Sequence, residues 1–486
     1  MSRVVIMGAG VAGHTAALYL RKQLGKEHDV VVVTPNALWN WIPSNIWVGV
    51  GKMSKKQVVF PLAPLYKRKK IEFHQARATE MWPEGNAQDS KPFITIEYTD
   101  DARKGTTEHL HYDYLVNATG PKLNFAATPG LGPDQGGSVS VCTADHAVHA
   151  SGELNKCMDA MRRGEHQTLV IGTGHGTCTC EGAAFEYTFN VEHIIREAGL
   201  RDMCDIYYFT NEYELGDFGV GGMQFNQQGY RTSSKLWTES LFQERGVIPI
   251  VRAHAHRVDP GMLHYETLDG SMHELAFDFA MLLPPFRGAN LPTFDNAGAD
   301  ITEQVFAPNG MMKVDADYTP RTPAEWKAAD WPKTYRCAAY GNIWAPGIAF
   351  APPHQISTPR KSPNGTVIAP SPPRTGMPAG IQGKLVADTI TDRILKPGTP
   401  DHEESMAEMG SACIASAGNG LTNGSAAAMT MYPTVPDLEK FPDSDGRHPK
   451  LTSGEIGLAG HWIKTLLHYM FIYKMKAHPM WWIIPE

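Results

Sequence analysis

Arg3 to Met7 is a short apolar run, and Gly8-Ala9-Gly10-Val11-Ala12-Gly13 follows at once. From His14 to Leu24 the apolar Ala16, Ala17, Leu20 and Leu24 fall near one face at helical spacing, which predicts a helix. Asp29 to Thr34 is Val-rich and predicts a strand buried on both faces. Strand, glycine turn, helix and strand within about 30 residues form the pattern of a dinucleotide-binding unit. The pattern returns at Thr168 to Gly176, a second strand and glycine turn, with Asp205 to Thr210 as its partner strand. Tyr112 to Gly120 is an apolar strand running into Ala-Thr-Gly, and Asn342 to Gly347 reads as a further strand end. Helical patterns follow at Ile381 to Ile394 and His461 to Lys476. Between the units, Ala351 to Gly380 carries eight prolines and predicts a long, stiff, irregular connection.

The chemistry of the first turn is that of a pyrophosphate site. Gly8, Gly10 and Gly13 let the backbone approach the ligand, and the helix N-terminus stabilises its charge. No acid closes the second strand to take a ribose hydroxyl pair; Thr34 and Asn36 stand there instead. In flavoproteins with two dinucleotide-binding domains the segment equivalent to Asn342–Gly347 closes with Gly-Asp. Here Gly347 is followed by Ile348. The first turn, the Ala118-Thr119-Gly120 end and this segment together favour FAD over NAD for the first site. The second turn runs into Thr177-Cys178-Thr179-Cys180-Glu181-Gly182, and a helix beginning there would bring two thiols to its N-terminus. The helix dipole lowers a thiol's pKa at that position, so this unit reads as a dinucleotide fold given over to sulfur chemistry. Cys178 and Cys180 lack a matching second pair for a metal, so no metal site is expected.

Composition narrows the classes. The 486 residues suggest roughly three domains, and a net charge of −7 argues against nucleic acid as a partner. Seven cysteines are too few for a disulfide scaffold. No uncharged apolar run is long enough to span a bilayer, and no cleavable signal peptide is expected. At the C-terminus Trp462, Leu466, Met470 and Tyr473 form one stripe, with Ile463, Leu467 and Phe471 beside it and Lys464, Lys474 and Lys476 interrupting. Met480-Trp481-Trp482-Ile483-Ile484 follows, and Trp beside Lys suits a bilayer interface. The competing reading is a helix buried in an oligomer contact.

Several segments carry a more specific resemblance. Pro43-Ser44-Asn45-Ile46-Trp47-Val48-Gly49-Val50-Gly51, Ala118-Thr119-Gly120-Pro121-Lys122-Leu123 and the Gly347-Ile348 step are similar to the sulfide:quinone oxidoreductases of the flavin disulfide reductase superfamily. Cys142 in Ser-Val-Cys-Thr-Ala-Asp-His, Cys180 in Cys-Glu-Gly-Ala-Ala-Phe-Glu and Cys413 in Ser-Ala-Cys-Ile-Ala-Ser fall where that family places its three cysteines. Phe471 to Lys476 resembles its C-terminal helix.

The resemblance implies an α/β fold of two Rossmann-like dinucleotide-binding domains in tandem plus a C-terminal membrane-associated helical segment. Residues 1–145 with 305–395 would bind FAD, 146–304 would carry a redox cysteine, and 396–486 would hold the third cysteine, the quinone-pocket helix and the membrane anchor. It further implies oxidation of sulfide to sulfane sulfur, with ubiquinone or menaquinone as acceptor, in a peripheral membrane homo-oligomer. Cys180 and Cys413 would form the sulfur-bridged pair. Cys142 would join the relay or hold the flavin covalently. His146 and Asp217 would serve quinone protonation, Asp217 standing where the family has a histidine. Phe471 would stack on the quinone, and Lys474 would lie near a flavin or quinone carbonyl. Gly8, Gly10, Gly13, Thr34, Asn36, Pro43, Ser44, Thr119, Gly120, Gly347, Thr375 and Gly376 would line the cofactor, with the helix after Gly376 aimed at the flavin pyrimidine. The competing functions are a flavocytochrome-type sulfide dehydrogenase subunit, a pyridine-nucleotide reductase or type II NADH dehydrogenase, and a non-catalytic flavin/cysteine sensor.

Overall fold

The computed structural model describes residues 1–227, 229–371 and 376–486. In chain order the elements that position the site are β1 (Arg3–Met7), α1 (Val11–Leu24), β2 (Asp29–Thr34), α2 (Asn45–Gly49), β3 (Tyr114–Asn117), α3 (Ala144–Arg162), β4 (Gln167–Thr173), α4 (Glu181–Glu197), β5 (Cys204–Phe209), β6 (Phe279–Leu283), β7 (Ile343–Trp344), α5 (Met377–Leu395), β8 (Ser411–Ser416) and α6 (Leu458–Met475).

Two sheets organise the chain. In the first, β7, β3, β1, β2 and Glu72–Trp82 lie side by side and parallel, and Phe93–Tyr98 and Thr107–His111 extend it antiparallel. In the second, Val247–Ile250, β5, β4 and β6 are all parallel. The apolar runs explain the choice: Val4, Val5, Ile6 and Val30 to Val33 are buried, as central parallel strands covered on both faces must be. Ligands of such sheets bind beyond the carboxyl ends of the strands, where β1 and β4 each run into glycines.

Helices α1 and α5 cross closely beside β1. A Cβ at Gly383 would stand 2.3 Å from the carbonyl oxygen of Ala12, so only glycine permits this approach. The proline-rich connection is not a free linker. It forms a small ribbon, Arg360–Lys361 with Val367–Ile368, and then pairs with the second glycine turn: Ala369 N–H donates to Gly176 O at 2.7 Å. The Ala/Gly/Ser-rich region becomes three antiparallel strands, β8, Ala426–Met431 and Ser453–Gly457, that lead into α6.

Helix α6 is inside out. Its buried residues include His461, Lys464, His468 and Lys474, whereas Trp462, Ile463, Leu466, Tyr469 and Tyr473 are exposed. Lys464 and Lys474, two of the three lysines expected to interrupt an apolar stripe, instead form the inward face together with the histidines, while Lys476 lies just past the helix end, half-buried. Trp481, expected in an exposed tail, is buried with its ring edge-on to Tyr19 at 4.8 Å. Among the described residues no helix is long and apolar enough to cross a membrane.

Candidate active site

Beyond β1 the backbone makes the turn that the glycines require. Gly8 has φ +99°, and a Cβ there would stand 2.1 Å from Ala118 O; one at Gly13 would stand 2.2 Å from Gly8 O. Gly8 N–H donates to Val33 O and Ala118 N–H to Met7 O, which locks the turn between β2 and β3. Gly10 is different: its Cβ direction is open, and no side chain caps α1 there. The first N–H groups of α1 are therefore free for an anion. Gly120 and Gly376, both at positive φ, also face open space. Gly347 N–H donates to Gln382 Oε1 at 2.7 Å, while Gln382 Nε2 is buried with no partner among the described residues. This open, donor-lined crevice fits FAD. Thr34 is buried and Asn36 exposed at the end of β2, Thr119 Oγ1 donates to Asn117 Oδ1, and Thr375 lies outside the described residues.

The three expected cysteines and a fourth come together across elements. Cys180 is the N-cap of α4, with φ +70° and ψ +37°. A left-handed non-glycine residue costs roughly 1–3 kcal/mol, and such strain clusters at active sites. Cys413, on β8, puts its Sγ 3.5 Å from where a Cβ would stand at Gly182, so this glycine makes room for sulfur beside the start of α4. Cys142, just before α3, is close enough to Cys178 and Cys180 to act on both thiols electrostatically. All seven cysteines are free thiols.

Two sequence expectations change here. Helix α4 begins at Glu181, so only Cys180 sits at its terminus; Cys178 is fully buried and donates to Leu283 O at 3.1 Å. Nor is the Cys180 thiol acidified. Burial, then the Glu181 carboxyl, push it up to about 12. Burial likewise raises Cys142 and Cys413 to about 11. Desolvation outweighs one helix dipole.

Beside Cys413 lies a polar network absent from the sequence expectations. Lys464 Nζ donates to the Glu186 carboxylate and to Ile414 O, both at 2.7 Å. Ser416 Oγ donates to Glu186 and accepts from Trp47 Nε1. His468 Nδ1 meets Ser44 Oγ at 2.8 Å. The signal was present in the i, i+4 spacing of Lys464 and His468, which puts them on one face.

The residues expected around quinone do not form one group. Phe471 stacks on Trp41 (4.9 Å, 14°), and Trp41 on Trp39, beside partly exposed Pro43. Lys474, expected near a flavin or quinone carbonyl, is instead buried and donates to Glu486 and to Ile484 O, both at 2.6 Å. His146 lies in the first turn of α3, edge-on to Phe125, with its Nδ1 buried and without a partner among the described residues. Asp217 accepts from Ser357 Oγ and Gly221 N–H and faces the buried acids Glu181 and Glu212, not α6.

The second glycine turn is filled by the chain itself. A Cβ at Gly176 would stand 2.6 Å from Val367 O and 2.9 Å from His254 Nδ1, which accepts from Gly176 N–H. The segment Val367 to Ser371 thus packs its backbone against this turn.

Residues 2–204 match the family described as pyridine nucleotide-disulphide oxidoreductase. The sulfide-quinone reductase of Aquifex aeolicus is 26% identical over 473 residues, which cover 97% of this chain and 91% of that protein. The X-ray structure of the sulfide:quinone oxidoreductase from Aquifex aeolicus aligns with TM-score 0.74 at 25% identity, covering 98% of this chain and 92% of that one. NDH2 of Plasmodium falciparum, solved in complex with NADH, shares the fold with TM-score 0.63 at 14% identity, covering 99% and 97%. From end to end, then, this chain is an oxidoreductase that resembles the sulfide:quinone oxidoreductases.

Proposed function

We propose that this protein oxidises sulfide to sulfane sulfur and passes the electrons through FAD to a membrane quinone. The observation that carries the reading is the convergence of Cys180, Cys413 and Cys142 at the strained start of α4. When bound, FAD supplies a two-electron acceptor for the sulfur site and a donor to quinone. Gly8, Gly10, Gly13 and the start of α1 hold its pyrophosphate, and Gly120, Gly347 and Gly376 leave room for the rest. Cys180 and Cys413 hold the sulfur. Hydrosulfide attacks one sulfur of a bridge between them; the S–S bond breaks, one cysteine becomes a persulfide and the other leaves as a thiolate. Lys464 stabilises that thiolate on the Cys413 side, since its ammonium lowers the Cys413 pKa against burial. Quinone would enter along the aromatic wall of Trp39, Trp41 and Phe471. The exposed face of α6, with Trp482 and Ile483, would rest in the lipid interface as a monotopic attachment.

An NADH-oxidising function is disfavoured by the filled second glycine turn. The test is anaerobic titration of the purified flavoprotein at the flavin band. Sulfide is expected to bleach it, a soluble quinone to restore it, and the cycle to repeat many times. Bleaching by NADH and not by sulfide would overturn the reading, and a single turnover that stops would make the protein a sensor.

A further inference from the structure

Cys180 and Cys413 belong to different elements, and a line of buried polar contacts fixes how those elements lie along each other. Helix α4 and strand β8 run side by side in the same direction. Gly182 faces Cys413 Sγ, Glu186 and Asn190 reach Ser416, and His193 Nε2 meets Asn419 O at 3.4 Å. These four α4 positions share one helix face. Ser416 is the node. Its Oγ accepts from Trp47 Nε1 of α2 at 3.0 Å and from Asn190 Nδ2 at 2.8 Å, and donates to Glu186 Oε1 at 2.7 Å. The one donor and both lone pairs of the hydroxyl are thereby used. Asn190 Nδ2 also donates to Ser416 O at 2.7 Å. Both residues are fully buried. A hydroxyl and an amide in the interior add little net stability over apolar side chains of the same shape, and Asn is a poor residue in the middle of a helix. What the pair supplies is direction, since these bonds break when β8 slides along α4. The strand needs such a pin. It reads Ser-Ala-Cys-Ile-Ala-Ser and its neighbour Ala-Ala-Ala-Met-Thr-Met, and small side chains on both faces give little shape to hold a register.

We propose that Ser416 and Asn190 are positioning residues that set the gap between the sulfurs of Cys180 and Cys413, and with it the number of sulfur atoms this pair bridges. Cys413 lies three residues before Ser416 on the same short strand, and Cys180 caps the helix that carries Asn190, so a shift at the pin is passed to the sulfurs. One strand residue advances about 3.3 Å, whereas one S–S bond is about 2 Å long. A slip of a single strand residue thus exceeds one sulfur link, and the register selects the sulfur chain that fits. Both residues act through the backbone of their elements.

The inference rests on the sulfide-oxidising reading, which supplies the sulfur bridge, but its readout needs neither flavin turnover nor quinone. Full-length holoenzyme is incubated anaerobically with sodium tetrasulfide. The cysteine thiolates open its S–S bonds by exchange; its sulfane sulfur is the oxidant, and hydrosulfide leaves. Remaining thiols are alkylated, and the sulfur atoms in the linked Cys180 and Cys413 peptides are counted by mass spectrometry. In the wild type one chain length is expected to dominate. Ser416→Ala and Asn190→Leu are expected to spread the distribution, the share of that length falling at least twofold. Ser416→Thr keeps the hydroxyl and is expected to keep the wild-type distribution. Thermal unfolding and bound flavin identify the folded variants, and Trp47→Phe, which removes one bond to Ser416 and leaves the others, is a milder loosening that should spread the distribution less. A wild-type distribution in the folded variants would overturn the proposal, as would a broad one in the wild type or a Ser416→Thr protein as spread as Ser416→Ala. Should sulfide fail to reduce the flavin of the wild type, the functional reading falls, while the bridges made from tetrasulfide still decide for or against the pin.

Discussion

Gly8 and Gly10 stand two residues apart and are expected to fail differently when substituted. Gly8→Ala would force a Cβ to within 2.1 Å of a backbone oxygen at positive φ, so the fold itself should be lost. Gly10→Ala meets only open space, with φ −70°. Thermal unfolding of flavin-free protein should therefore be unchanged, while bound flavin, read from the visible spectrum, should fall sharply because the methyl occupies pyrophosphate space. The same separation of packing from chemistry applies to sulfur. Cys180→Ser and Cys413→Ser are expected to abolish sulfide-dependent bleaching. Cys178→Ser should retain it, since Cys178 points into the core at Leu283 O. Bleaching that survived in Cys180→Ser would move the chemistry to another thiol. The glycines and the three cysteines were legible because their spacing or motif context constrains them. The raised thiol pKa values were not, because burial is set by residues far away in the chain. The motif that follows Cys180 sets it apart from Cys178 in the sequence, and the structure separates them further: Cys180 caps α4 with a left-handed backbone, whereas Cys178 is buried against Leu283 O.

Helix α6 shows what a sequence pattern leaves open. Its amphipathic division was readable, but periodicity does not say which face meets the protein. The structure puts the charged face inside because Glu186, Ser44 and the Ile414 carbonyl are waiting there as partners. Lys464→Met is expected to strand the buried Glu186 carboxylate and cost about 3–5 kcal/mol in urea unfolding. It should also raise the Cys413 thiol above its value of about 11, so alkylation of Cys413 at pH 9 slows. Adding Glu186→Gln should recover most of the stability. A second tether gives a pH dependence. His14 Nε2 faces Met475 O at 2.8 Å; a carbonyl only accepts, so Nε2 carries the proton and Nδ1 accepts from Tyr66 O–H. Burial lowers the His14 pKa to about 4, below the ordinary 6.5. Between those values the unfolded chain binds the extra proton, so stability present above pH 6.5 is lost as pH falls towards 4, by about 3 kcal/mol for this group. The loss should be measured as the difference between wild type and His14→Gln at pH 7 and pH 5, which cancels the common carboxylate contributions.

At the scale of the molecule the parallel strands at the centre of the two sheets and their glycine-bearing ends were legible, since each is written as a strand run into glycine. The fate of the proline-rich segment was not. Nothing local marks Val367 to Ser371 as the segment packed against the second glycine turn, because the pairing is carried by backbone atoms of residues far apart in sequence. The same limit bears on the membrane face. Removing His478 to Glu486 would be the natural test of an anchor read from the sequence. In the folded chain that tail also supplies Glu486 and Ile484 O to buried Lys474, and Trp481 to Tyr19. Its deletion would leave Lys474 unpaired in the interior and confound detachment with unfolding. Substitution of the outward residues avoids this. Trp462, Leu466 and Trp482 are 51%, 58% and 43% exposed, so changing all three to Ser removes apolar surface from solvent and little from the core. Wild-type protein is expected to float with anionic liposomes in a density gradient, and the triple variant to stay at the bottom with its thermal midpoint unchanged and its flavin retained. In detergent the variant should still reduce a short-chain quinone after sulfide addition, because the stacked Trp41 and Phe471 are left unchanged. Flotation of the triple variant at wild-type level would place the lipid contact elsewhere on the molecule.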